Sequence, residues 1–217
     1  SAQSPNDCID SLQCESSWIG MSDSDRETVF AFAEDYKAFI HEARTELSFV
    51  AEAVAFAVQN GFEELTDSTD IVQDKKIYEV NRDRTISLLV IGEEAIQDGF
   101  HIIGSHIDSP RLELKGRPLF EASEFALFQT NYHGGIKYHQ WTNLPLALIG
   151  RIDKKDGTSI QVSVGLDTDD PIFMIPELSP HVDRSRNSKT LAEFITPEDL
   201  DPIIGHIPGE DGGDIAD

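Results

Sequence analysis

The chain has 217 residues, with 40 acidic side chains against 17 basic ones and a formal net charge of −23 at pH 7. Such a field repels phosphate backbones and anionic membrane surfaces, which argues against nucleic acid and membrane as partners. No apolar run approaches the roughly 18 residues of a membrane span. Ser1–Pro5 lacks the features of a signal peptide, and two cysteines, Cys8 and Cys14, fit a reducing, cytoplasmic setting.

Residues 1–23 are polar and are expected to lie loosely over the surface. Ser24-Asp-Arg-Glu27 has the form of a capping box, and the helix it would start runs to about Ala43. That helix places Val29, Phe30, Ala33, Tyr36 and Ile40 on one stripe. Thr45 can cap a second helix with Leu47, Val50, Ala51, Val54 and Val58 at helical spacing, ended by Asn60-Gly61. Both stripes read as core. A polar linker from Thr66 to Lys75 leads into three strand-like runs, Lys76 to Asn81, Thr85 to Ile91 and Phe100 to Ile107. Arg82-Asp83 fits a hairpin turn between the first two. The adjacent acids Glu63-Glu64 and Glu93-Glu94 read as solvated loop charges.

Beyond Lys115 the helical periodicity fades. Phe120 to Thr130, Leu144 to Ile152, Thr158 to Gly165 and Ile172 to Ile175 read as short strands, with Asp156-Gly157 a hairpin turn. A largely antiparallel β region is expected. Gly134-Gly135 suggests a close backbone approach or a bulge. Leu191, Phe194 and Ile195 suggest a helical turn, Leu200 to Ile207 a weakly apolar tail, and residues 209–217 a disordered end. The expected fold class is therefore α/β: a mixed sheet with helices over residues 24–115, then a β-rich domain over 116–208.

The candidate chemistry lies at the end of the third strand-like run. His106 and Asp108 are two apart, so on an extended strand they share a face, and Ser109-Pro110 prevents a simple continuation. An imidazole beside a carboxylate suits a metal ligand whose second ring nitrogen is held by an acid. The bland alternative is a structural His–Asp pair, which the triplet alone does not separate from a ligand.

The wording around the triplet is more specific. His106-Ile-Asp-Ser-Pro-Arg-Leu-Glu-Leu-Lys115 closely resembles the first metal-site motif of the aspartyl aminopeptidase family of zinc exopeptidases. The likeness continues through Thr130-Asn-Tyr-His-Gly-Gly-Ile-Lys-Tyr-His-Gln-Trp141 and Asp169-Asp-Pro-Ile-Phe-Met-Ile-Pro-Glu-Leu-Ser-Pro-His181, nearest the bacterial-type branch. The resemblance implies an aminopeptidase acting on peptides, with two zinc ions in its complete site. It implies that His106 is a zinc ligand, that Asp108 orients it, and that His181 reaches into a neighbouring subunit's active site. The α/β part would then belong to the peptidase domain, and the β region would be an inserted dimerisation domain making a homo-oligomer. His133 and His139 depart from the family pattern and receive no role. The family's remaining ligands and its catalytic glutamate come downstream of the inserted domain, so this chain reads as an N-terminal portion with little activity alone. The rival reading is a non-catalytic assembly protein that keeps the oligomerisation domain.

Overall fold

The computed structural model describes residues 16–207. Cys8, Cys14 and the expected disordered end at 209–217 lie outside the described residues. No helix among the described residues is long and apolar enough to cross a membrane. The described residues form two compact units, divided between Ile107 and Asp108.

In the first unit, α1 (Asp23–Glu42) starts two residues earlier than Ser24-x-x-Glu27 suggests. Ser22 is the cap: its hydroxyl accepts from the Asp25 N–H at 3.1 Å and donates to the Asp25 carboxylate at 2.7 Å. Asp23 and Asp25 then fall in the first turn, where the helix dipole favours acids. The expected burial of the Val29–Ile40 stripe is not found, because no residue of α1 is buried and Phe32 is 72% exposed. The helix is covered in part by α2 (Glu46–Gln59), where Phe39 meets Phe49 edge-on at 5.3 Å, and by Trp18, whose ring lies 5.8 Å from that of Phe30.

Thr45 caps α2 as expected, with Ser48 as its reciprocal partner. Val50, Ala53 and Ala57 form the buried line, whereas Ala51 is exposed and Val58 points outward. Two alanines on this line let the helix approach the sheet closely. The helix stops at Asn60, with Gly61 at φ 82°, a conformation glycine adopts without steric cost.

That sheet is mixed. β2 (Lys76–Asn81) and β3 (Thr85–Val90) form an antiparallel hairpin, and β1 (Glu63–Glu64) lies parallel to β2. Arg82 and Asp83 have φ of 54° and 56° and are the central residues of a turn closed by the Arg84 N–H, which donates to the Asn81 carbonyl at 3.1 Å. Glu63-Glu64 is thus a strand rather than a loop, and Lys75 Nζ pairs with Glu63 at 2.6 Å. The strand expected at Phe100 to Ile107 is absent: this stretch carries no regular structure, and Ile103 is 98% exposed. Its composition suits a buried strand, but a strand needs a ladder partner, and no described strand pairs with it.

In the second unit, β4 (Arg111–Ala122) pairs antiparallel with β5 (Phe125–His133), and β8 (Ile203–Gly205) adds to the far side of β5. The sequence reading takes Phe120 to Thr130 as one strand; the chain instead turns at Ser123-Glu124, both at positive φ. β4 also runs through Lys115-Gly116, where the change of character begins. β6 (Leu148–Asp153) and β7 (Ser159–Val164) form the hairpin marked by Asp156-Gly157. Residues 172–175 make only single bridges, Leu146 with Phe173 and Met174 with Ile203. The helical turn is present as α3 (Leu191–Phe194).

The core of this unit is Ile175, Ile195 and Leu200, with Leu112, Leu146 and Trp141 packed against it. The stretch Leu200 to Ile207 is therefore not a loose tail: Leu200 is 1% exposed, and its carbonyl accepts from Thr130 Oγ1 at 2.6 Å. Replacing Leu200 by Ala should cost about 2–5 kcal/mol in denaturant unfolding of this chain. Phe32→Ser, at an exposed position, should stay within about 0.5 kcal/mol of the parent. Equal effects would contradict this assignment of the core.

Candidate functional site

The two residues of the His106-x-Asp108 triplet fall on either side of the division between the units. His106 is exposed and belongs to the irregular stretch that closes the first unit, so no strand holds it and Asp108 on a common face. Asp108 opens the second unit and is held there by a residue to which the sequence reading assigned no role. His133, the last residue of β5, donates from Nε2 to Asp108 Oδ2 at 3.0 Å. Its Nδ1 lies 3.6 Å from Glu113 Oε1.

The register explains this meeting. Arg111 stands opposite His133 across the β4–β5 ladder, and Glu113 follows Arg111 by two positions, on the same face. Arg111 Nε and Nη2 bind Glu113 Oε1 at 3.0 and 2.5 Å, and Arg111 Nη1 donates to the Ser109 carbonyl at 3.1 Å. Gly134 follows at φ 80°, and a Cβ there would lie 3.5 Å from Pro110 Cα. The glycine pair is thus a turn against the motif, with the positive φ at Gly134 as its requirement. Next to it, a hydrogen bond with Tyr132 and then desolvation raise the Tyr138 phenol above its ordinary value. The two rings meet at 5.1 Å.

His181 lies elsewhere in the second unit, on an exposed turn in which the Val182 and Asp183 N–H groups both donate to the Ser179 carbonyl. Its imidazole makes no hydrogen bond or ion pair with any described residue. Behind the turn, Arg186 bonds Asp183 and Asp199. Partial burial pushes Asp199 up, but hydrogen bonds from the Thr196 N–H and hydroxyl and from Arg186 outweigh it and hold the group below its ordinary 3.8. Burial pushes neighbouring Asp201 the other way, against the Thr130 N–H that donates to it.

Imidazole nitrogen and carboxylate oxygen are donors that zinc takes, so His106 and Asp108 suit that ion chemically. A catalytic zinc needs three protein ligands. Among the described residues no group of three or more His, Cys, Asp or Glu could hold a metal ion. The described residues therefore bring no set of three such ligands together.

A three-stranded mixed sheet with helices, a second unit of antiparallel strands and the His-x-Asp triplet between them in sequence define an α/β chain. The chain belongs to the aminopeptidase I zinc metalloprotease family, M18, whose match covers residues 39–212. It is 38% identical over 212 residues to a probable M18 family aminopeptidase 1 of Clostridium acetobutylicum, covering 96% of this chain and 45% of the relative. The corresponding protein of Borreliella afzelii is 36% identical over 201 residues, 92% of this chain and 44% of that one. The crystal structure of an M18 aminopeptidase from Thermotoga maritima superposes with a TM-score of 0.82 at 34% identity, over 92% of this chain and 43% of that one. The chain thus spans about half the length, or a little less, of the relatives it matches.

Two measurements check this geometry. The His133–Asp108 pair is more than a third exposed on each side, so His133→Phe should change unfolding stability by less than about 1 kcal/mol. A larger loss would mean that the pair carries more of the fold than its exposure allows. The depressed Asp199 adds stability above pH 3.8 that is lost as the pH falls through its lowered value. Asp201, raised, works in the opposite sense. Asp199→Asn should therefore flatten the acid side of the unfolding profile, and an unchanged profile would contradict the assignment.

Proposed function

We propose that this chain is the N-terminal part of a zinc-dependent aminopeptidase that removes N-terminal residues from peptides. The observation that carries the reading is the agreement of three ordered motifs with family membership over residues 39–212. In this reading His106 supplies one nitrogen ligand to a site of two zinc ions, and Asp108 fixes its orientation. The β-rich second unit is the inserted domain through which copies of the chain pair, and His181 reaches from it into a neighbouring subunit's site. The first unit is the opening part of the peptidase domain, completed by sequence corresponding to the rest of the relatives' length. The enzyme works in the cytoplasm on peptides, with neither nucleic acid nor membrane as a partner.

Activity follows the completeness of the site. This polypeptide alone, supplied with zinc, should show no chelator-sensitive turnover of aminoacyl substrates, whereas the complete enzyme should. Efficient turnover by the chain alone would overturn the proposal. An inactive complete enzyme that still self-associates would favour the assembly protein. In the complete enzyme His181→Phe should preserve the oligomer on gel filtration and depress kcat, and an unchanged kcat would remove His181 from the site.

A further inference from the structure

The geometry points to Arg186 as the positioning residue for His181. This inference rests on the reading of His181 as a group that acts outside its own subunit, but its structural half stands on this chain alone. Exposed turns are ordinarily mobile, and a mobile imidazole is poorly placed for any fixed chemistry. The turn carrying His181 has an anchor. Asp183, two residues further on, has a side chain only 13% exposed, and Arg186 Nε binds its Oδ2 at 3.2 Å. Ser185 Oγ donates to the other carboxylate oxygen at 3.0 Å.

Arg186 then reaches from Nη2 to Asp199 Oδ1 at 3.0 Å. Asp199 is fixed in turn by the Thr196 N–H and hydroxyl, at 2.8 and 2.7 Å, and it directly precedes the buried Leu200. A continuous series of bonds therefore runs from the His181 turn through one guanidinium to the core of the second unit. The planar fork of arginine satisfies two carboxylates at once, which the single ammonium of lysine does less well. At the outer end, the imidazole has no partner among the described residues and faces solvent. An anchored turn that ends in an unengaged imidazole holds that group ready for a partner outside the unit.

The test begins with backbone 15N relaxation of this chain. In the parent, His181 and Val182 should show order parameters near those of rigid backbone, about 0.85. In Arg186→Met and, separately, Asp183→Asn they should fall below about 0.6 while Ile175 and Ile195 stay rigid. Unchanged order at His181 in both variants would overturn the assignment. The second stage uses the complete enzyme. Arg186→Met should lower kcat about tenfold or more with little change in KM, Arg186→Lys should recover part of the loss, and Arg186→Met should add nothing to His181→Phe. Additive losses would mean that Arg186 acts by another route and would overturn the inference. If His181→Phe leaves kcat unchanged, the functional reading of His181 fails, while the relaxation data still decide whether Arg186 holds the turn.

Discussion

Burial of Leu200 against Ile175 and Ile195 is the constraint on which the second unit depends. These residues come from three separate stretches, none of them within a named strand, and they are the largest fully buried side chains among the described residues. Their packing fixes where β5 can lie, because Thr130 of that strand bonds both the Leu200 carbonyl and the Asp201 carboxylate. β5 in turn carries His133 to Asp108 at one end and pairs with β8 near the other. Both proposed functional positions of this unit thus trace back to one small apolar cluster, Asp108 through β5 and His181 through Asp199.

The first unit is organised differently. Its sheet is narrow, and its helices carry more apolar surface than the described residues cover: Phe30, Phe32 and Phe56 are all well exposed. The unusual acidity of the chain does not offset this, since charge on one face keeps a protein soluble without satisfying apolar area on another. The relatives are about twice as long as this chain.

Local signals were legible where the chain carries its own punctuation. Thr45, Asn60-Gly61 and Asp156-Gly157 bound their elements as read, and the Arg82-Asp83 hairpin falls where the polar break placed it. Elements that depend on distant partners were not legible. Ser123-Glu124 turns the chain without a glycine or asparagine to mark it, so β4 and β5 merged into one strand. Losing that hairpin also hid the register that sets His133 opposite Arg111, and with it the bond to Asp108 across 25 positions. The stripe of α1 and the run Phe100 to Ile107 have core composition but stay largely exposed. Of the site, the motif picked out His106, Asp108 and His181 as residues, but only the structure supplied their surroundings in each unit.

The most direct test of the central claim is the turnover of an aminoacyl substrate by the complete enzyme carrying His106→Ala. The account predicts a folded oligomer with normal unfolding behaviour, activity reduced to background, and less bound zinc per subunit than in the parent. Parental turnover with undiminished zinc would contradict it, and His106 would then be a structural residue in a chain whose chemistry lies elsewhere.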